Sequence, residues 1–510
     1  MRPFRSLFSI LLLGAFLIAP PSVLAGPKSC DKRVNNTFNK LLECVTVEGA
    51  REHQAAFQAI ADANNGIRTS GTPGYDASVD YVAERMRAAG YDVTVQPFQF
   101  NAFIQLGPST LEQITPAPTS YVEETDYTLM SQTDAGDVMG PVTAVDLALG
   151  DPSTSTSGCE AADFAGFPAG HIALMQRGAC SFQLKAENAA DAGAVGVIIF
   201  NQGNTPDRTG LINGTLGSGY SGGIPVVFAT FARGSEWAGT SGLEMQMIVD
   251  TFRGEATSFN VLAESRHGDP SNVVMAGAHL DSVNEGPGIQ DNGTGSAAIL
   301  EVAEQMAKVK PRNKLRFAWW GAEESGLVGS TFYVNDLSEE EQGDIALYLN
   351  FDMIGSPNHV FFIYDGDDSD GEGAGPGPDG SAQIEQTYES FYNQRGIPFK
   401  GTDFSGRSDY GPFIAVGIPA GGLFTGAEGI KTDEEAAIWG GTAGDQYDPC
   451  YHLACDTFDN INLNAFDVNV DAVAYSVLQY GMNTQAINGK RGKGNFKPRD
   501  SENLGPLKLR

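Results

Sequence analysis

Apolar residues recur at helical spacing over Ser78–Ala89, where Val79, Val82, Met86 and Ala89 share one face. Gly90 stops that helix, and Asp92–Phe98 alternates like a half-buried strand. A further helix is predicted over 53–63. This helix–strand opening has the texture of an α/β domain, and then it breaks off. From about 130 to 250, Gly- and Ser-rich turns separate short β-rich runs, His171–Met175, Gly196–Phe200 and Ile224–Phe228, around one Ala-rich helix, Gln183–Ala192. That stretch reads as a small separate module set into the first domain. The α/β pattern resumes near Ser258. Val273–Ala278 is a predicted strand ending at His279, and Gly295–Val309 a helix with Ala298, Val302 and Met306 on one face. Leu315–Trp320 is a strand leading to Glu323-Glu324, and Ala346–Phe351 a strand ending at Asp352. Open α/β sheets build their sites beyond the carboxyl ends of strands. Three strands therefore deliver candidate ligands to one edge.

At 510 residues, two domains plus processed ends are expected. The formal net charge of −31 repels nucleic acid phosphates and anionic membranes, which argues against both as partners. Arg2 and Arg5 precede an apolar run, Leu7–Ile18, and Val23-Leu24-Ala25 places a signal-peptide cleavage after Ala25. No later segment has the roughly 18 consecutive apolar residues that a membrane span needs, so the mature protein is expected to be secreted, extracellular and soluble. Six cysteines in an exported chain favour disulfides. Their spacing suggests the local pairs Cys30–Cys44, Cys159–Cys180 and Cys450–Cys455, with metal binding by Cys450 and Cys455 as the competing reading. Asn35, Asn213 and Asn292 begin N-x-Thr sequons. From Gly489 the chain turns basic and aperiodic, as expected of a disordered tail or of a segment drawn to the acidic body.

The candidate chemistry lies at the strand ends. In His279-Leu-Asp281 a carboxylate two residues on could hold the far imidazole nitrogen and leave the other free for metal, although many such pairs are surface turns. Asp291, just before a predicted helix, is an N-cap candidate or a carboxylate bridging two ions. Glu323-Glu324 follows an apolar run, where adjacent carboxylates cost stability unless metal or protons neutralise them. One can bind metal while its neighbour acts as general base, because consecutive side chains diverge. Asp352 and His452 complete a set of imidazoles and carboxylates that suits zinc. A pair of such ions activates water for hydrolysis.

Three other patterns carry less. Gly219-Tyr-Ser221-Gly-Gly223 lacks the strand and helix of a nucleophile elbow. Asp365-Gly-Asp367-Asp368-Ser-Asp370-Gly371 resembles a calcium loop without EF-hand spacing or its closing Glu; a calcium site and a solvated acidic loop both fit it. No His-Glu-x-x-His occurs, which removes the single-zinc peptidases built on that motif.

Taken in order, Gly-Ala-His279-Leu-Asp281-Ser, Gly-Ile-Gln-Asp291-Asn-Gly, Gly-Ala-Glu323-Glu324-Ser-Gly-Leu, Asn-Phe-Asp352-Met-Ile-Gly and Tyr451-His452 resemble the secreted two-zinc aminopeptidases of metallopeptidase family twenty-eight. The module with Ala173-Leu-Met-Gln-Arg177-Gly-Ala-Cys180-Ser-Phe182 and Gly193-Ala-Val-Gly-Val-Ile-Ile-Phe-Asn201 resembles the protease-associated domain inserted in such enzymes. The likeness spans nearly all of residues 50–480. It implies a mixed, mostly parallel twisted sheet flanked by helices, the zinc exopeptidase fold, carrying a small β-rich α+β insert. The implied organisation is a signal peptide over 1–25, an N-terminal segment over 26–49, and a catalytic domain over 50–129 and 254–486. The insert occupies 130–253 and the basic tail 487–510. The resemblance further implies two zinc ions per chain. His279 and Asp352 would hold one and Glu324 and His452 the other, with Asp291 between them. Glu323 would be the general base, Asp281 the partner of His279, Tyr451 the oxyanion donor and Arg407 a substrate contact. Peptides with free N-termini, apolar ones such as leucine first, would be the substrates. A carboxypeptidase of the same family and a non-catalytic receptor on this fold are the rival readings, and the pattern carries no signal of oligomeric state.

Overall fold

The strand that opens at Asp92 runs well past its locally visible alternation. It extends to Gln105 because Thr251–Glu264, remote in sequence, pairs with it antiparallel from Asp92↔Glu264 to Gln105↔Thr251. This ribbon leads out of one sheet and into another. The computed structural model describes residues 30–490 apart from Glu372 and Ala374. The expected signal peptide 1–25 and the tail beyond Lys490 lie outside the described residues.

The larger sheet has eight strands in the order Asp92–Gln105, Thr251–Glu264, Asn313–Trp320, Asp269–His279, Ile345–Phe351, Ala420–Phe424, Phe362–Tyr364 and Lys400–Thr402. The four central strands from Asn313–Trp320 to Ala420–Phe424 are mutually parallel, and the ribbon on their flank is antiparallel, so the sheet is mixed and its middle parallel. Parallel central strands are buried on both faces and read as continuous apolar runs. Ile345–Phe351 is accordingly buried at every position. Successive side chains still alternate: Trp319 packs with the helices Pro73–Ala89 and Gly293–Met306, and Trp320 packs on the opposite face with Tyr333, Tyr348 and Phe413. Helices therefore cover both faces.

Helix Leu463–Met482 has no polar stripe and is buried on nearly all sides, as expected of a helix sandwiched inside a core. Helix Gly293–Met306 is buried almost throughout. Its Gly295 lies so close to the Phe351 carbonyl that a Cβ there would collide with it. That close approach draws the loop before the helix against the end of the neighbouring strand.

The second sheet also has eight strands, all drawn from Thr110–Val249, in the order Thr119–Tyr121, Thr110–Thr115, Glu244–Val249, Gly136–Ala144, Ile172–Gln176, Gly196–Phe200, Val226–Ala229 and Tyr127–Leu129. It has its own cores around Leu174, Ile198 and Met247, and around Met175, Ile199 and Phe228. It starts at Thr110, ahead of the 130 that local texture suggests, because Thr110–Thr115 pairs with Glu244–Val249 at the far end of the segment. The six cysteines form the disulfides Cys30–Cys44, Cys159–Cys180 and Cys450–Cys455. Among the described residues no helix is long and apolar enough to cross a membrane.

Candidate active site

Three neighbouring parallel strands end at one edge of the larger sheet, and each carries its acidic or imidazole residue there. His279 is the last residue of its strand, Asp352 directly follows Phe351, and Glu323-Glu324 follows Trp320 after a short turn. Asp291 is not the helix cap. That role falls to Asn292, whose Oδ1 accepts from the amides of Gly295 at 2.9 Å and Met353 at 3.2 Å, while its Nδ2 donates to the Phe351 carbonyl at 2.9 Å. Asn292 thus ties the Asp291 loop to the Asp352 strand end and leaves the Asp291 carboxylate free to face the histidines. His452 comes from the loop that Cys450–Cys455 closes. Ala322, Leu327, Met353 and His452 all have positive φ without being glycine, and such conformations persist where surrounding packing imposes them.

The two oxygens of Asp291 divide between the two histidines. Oδ1 lies 3.1 Å from His279 Nε2 and Oδ2 lies 3.3 Å from His452 Nε2. Asp352 Oδ1 is 3.3 Å from His279 Nε2, and Glu324 Oε2 is 3.1 Å from His452 Nε2. Two three-residue groups result, His279–Asp291–Asp352 and His452–Asp291–Glu324, with Asp291 common to both. A tetrahedral zinc site with bonds of about 2.0–2.2 Å sets neighbouring ligand atoms about 3.3–3.6 Å apart, close to these separations. Glu323 and Glu324 do not diverge as expected. Each places one carboxylate oxygen within 4.8 Å of a His279 ring nitrogen and of the other's, and Ala322 just before them has a φ of 53°.

Electrostatics gives the same picture. Burial alone would lower His279, yet Asp352 and Glu323 hold it well above its ordinary value. Burial opposes protonation of His452 too, and Glu324 and Asp291 push it up to about 11. Burial works against ionisation of Asp291, but the two histidines keep it below the usual carboxylate range. Burial drives Glu323 well above that range against the pull of His279, with Glu324 adding to the rise. The buried Glu324 Oε1 and Asp352 Oδ1 have no hydrogen-bond partner. A pocket so short of positive charge suits divalent cations.

Several supporting residues have no local signal in the chain. A hydrogen-bond relay runs from Trp320 Nε1 to Tyr348 Oη at 2.8 Å, on to Asn350 Oδ1 at 3.0 Å, and from Asn350 Nδ2 to Ser408 Oγ at 2.8 Å. It ends where Ser408 donates to Asp352 Oδ2 at 2.5 Å, which orients that carboxylate from the core. Asp456 accepts the amides of Gln290 and Asp291 at 2.7 and 3.0 Å. Arg68, fully buried, donates to the carbonyls of Leu280, Pro287 and Gly288 and so braces the loop from His279 to Asp291. Asp281 meets His279 Nδ1 through its main-chain carbonyl at 3.2 Å. Its carboxylate is 3.7 Å away and accepts the amide of Glu323 at 3.2 Å. Buried Asp409, pushed up to about 7 by burial, is another carboxylate near Glu323.

A cavity of about 370 Å³ opens on this cluster, walled by Met353, Phe362, Phe424 and Tyr447. Tyr451 stacks on His452, and its hydroxyl accepts from Arg407 Nη2 at 3.2 Å; Arg407 Nη1 is held by Glu428 Oε1 at 2.7 Å. Elsewhere, the Ser221 amide and hydroxyl both donate to Glu187 Oε1 at 3.1 Å, and among the described residues no histidine hydrogen-bonds to that hydroxyl. The oxygens of Asp365 and Asp367 accept amides of their own loop, and Glu385 accepts the amide of Gly366. Of the three sequons, Asn35 and Asn292 are buried and Asn213 is exposed.

A parallel-centred α/β sheet with histidines and unneutralised carboxylates gathered on its carboxyl edge defines a class, the metal-dependent hydrolases. The sequence profile of Peptidase family M28 matches residues 260–477 and that of the PA domain residues 138–237. An aminopeptidase of Pseudomonas aeruginosa is 54% identical over 447 residues, covering 88% of this chain and 83% of that protein. A probable lipoprotein aminopeptidase of Mycobacterium tuberculosis is 41% identical, covering 87% of each chain. Among solved structures, the aminopeptidase from Aneurinibacillus sp. strain AM-1 superposes with a TM-score of 0.60 at 28% identity, covering 91% of this chain and 98% of that one. A zinc aminopeptidase from Bacillus subtilis gives 0.61 at 25% identity, covering 85% and 94%. The chain belongs to peptidase family M28, carries a PA domain, and is an aminopeptidase.

Proposed function

We propose that this chain is a secreted two-zinc aminopeptidase that releases apolar N-terminal residues, leucine among them, from peptides. The observation that carries the reading is the division of Asp291 between two histidine–carboxylate groups. His279 and Asp352 would hold one zinc, His452 and Glu324 the other, and Asp291 would bridge. When bound, the ions supply Lewis acidity toward the scissile carbonyl and make a nearby water more acidic.

The remaining steps belong to side chains. Glu323 takes a proton from the attacking water and passes it to the leaving amine, and the amide of Glu323 on Asp281 keeps its backbone in place. The Tyr451 hydroxyl donates to the carbonyl oxygen as negative charge grows there, with Arg407 and Glu428 fixing the ring's approach. Met353, Phe362 and Phe424 receive the side chain of the first residue and exclude water from it. The export signal and three disulfides support secretion.

Purified enzyme should contain two zinc ions, cleave Leu-p-nitroanilide and leave its N-acetylated counterpart intact. Glu323→Gln should retain both ions while kcat falls about 10²–10⁴-fold. Near-normal turnover in that variant would reject Glu323 as the base, and cleavage of the blocked substrate would reject the requirement for a free amine.

A further inference from the structure

A second cavity, about 560 Å³, lies between the catalytic sheet and the insert, and Glu324 and His452 line it as well as the first. The two cavities therefore meet at the metal-ligand cluster. The first is walled by Met353, Phe362 and Phe424 and suits one apolar side chain. A peptide whose first residue sits there with its carbonyl at the cluster must continue into the second.

The insert lines that second cavity with Leu129, Ser131, Gln132, Asn213, Thr215 and Ser218, all uncharged in a chain of net charge −31. Its two contributing loops are fastened to each other. The Ser131 amide donates to the Gly214 carbonyl at 2.8 Å, and the Leu216 amide donates to the Ser131 carbonyl at 2.9 Å. The catalytic side is equally anchored, since Asn284 accepts the Gln105 amide and donates to the Phe103 carbonyl, each at 3.1 Å. Among the described residues, the side-chain amides of Gln132 and Asn213 have no hydrogen-bond partner. Gln132 also holds φ at 70°, in the left-handed region that a non-glycine residue rarely occupies. An amide side chain both donates and accepts, which matches the N–H and C=O of any extended peptide whatever its sequence.

We propose that this cleft receives the peptide C-terminal to the scissile bond, and that Gln132 and Asn213 of the insert hydrogen-bond its main chain. The insert then contributes to peptide affinity and not to bond cleavage. The inference deepens the aminopeptidase reading and rests on it.

The test compares Leu-p-nitroanilide, which has no residue beyond its leaving group, with the tetrapeptide Leu-Ala-Ala-Ala. Gln132→Gly suits the positive φ and removes the side chain together with its amide; Asn213→Ala changes an exposed position. The double variant should raise KM for the tetrapeptide about 5–20-fold, as expected for two lost hydrogen bonds, with kcat kept and kcat/KM for the anilide within about twofold. Equal losses on both substrates, or no change on either, would overturn the proposal. A wild-type chain that cleaves neither substrate would overturn the aminopeptidase reading itself, a result that the variants do not share.

Discussion

His53 with Glu301 and Glu304, and His279 with Asp291 and Asp352, are the same combination of one imidazole and two carboxylates, each with ligand atoms within 4.8 Å. Their charges behave oppositely. Burial lowers His53 to about 3, with the nearby Arg85 adding to the fall, whereas the carboxylates around His279 raise it despite burial. Distance is one cause: His53 Nε2 stands 4.0 Å from each glutamate, against 3.1 and 3.3 Å for His279 Nε2 and its two aspartates. Arg85 is the other. Its Nε and Nη2 each bind Glu304 at 2.6 Å, so the first cluster contains its own cation, and His53 turns Nδ1 to Tyr81 Oη at 2.8 Å. At the sheet edge, among the described residues, no arginine or lysine side chain forms a hydrogen bond or ion pair with the carboxylates of Asp291, Glu324 or Asp352. That difference in charge balance is why the proposed metal site is placed at the sheet edge and not at His53.

The comparison is broken most severely at Asp291. Asp291→Ala should remove zinc from both halves and reduce kcat/KM at least about 10³-fold, as metal analysis and anilide turnover would report; one zinc retained at full occupancy would deny the bridge. Arg85→Ala turns the closed cluster into an open one. Leaving Glu304 without its partner should cost about 2 kcal/mol in urea unfolding, a value reduced for the exposure of Arg85, while anilide turnover stays within about twofold. Unchanged stability would remove Arg85 as the built-in cation. The smallest effect sharpens the contrast through pH. His53 in the folded state refuses a proton that the unfolded chain accepts, so its contribution is present above pH 6.5 and is lost as pH falls from there toward about 3. Glu301, pushed up to about 8 by burial and Glu304, acts with the opposite slope between pH 4.5 and 8. His53→Gln isolates the first term. Between pH 6.5 and 5 the wild type should lose about 1.5 kcal/mol relative to that variant, and parallel stability curves would show that His53 takes up a proton in the fold.

The strand ends that carry His279, Glu323 and Asp352 were legible because parallel central strands are apolar throughout, so their ends are sharp. His452 was not legible in this way. It sits in a loop without periodicity, and only its place in an ordered series of motifs marked it. Helix Leu463–Met482 escaped for a related reason, since burial on nearly all sides erases the amphipathic period. Ser408, Asp456 and Arg68 act across long stretches of sequence, and no spacing rule connects Ser408 with Asp352 or Asp456 with Asp291. The second sheet begins ahead of the change in local texture near 130, because Thr110–Thr115 acquires its partner from Glu244–Val249.

By itself the sequence determined the α/β alternation, the presence of an inserted module, and the residue types offered at the sheet edge. Each follows from periodicity and turn chemistry within a few residues. Only the tertiary structure decided that Asp291 faces two histidines while Asn292 caps the helix, and that the Asp281 carboxylate serves Glu323 more closely than His279. It also decided that burial and Arg85 hold His53 below its ordinary value beside two glutamates. These outcomes depend on charge, burial and hydrogen-bond partners summed over segments far apart in the chain, and those sums exist only once the chain has folded.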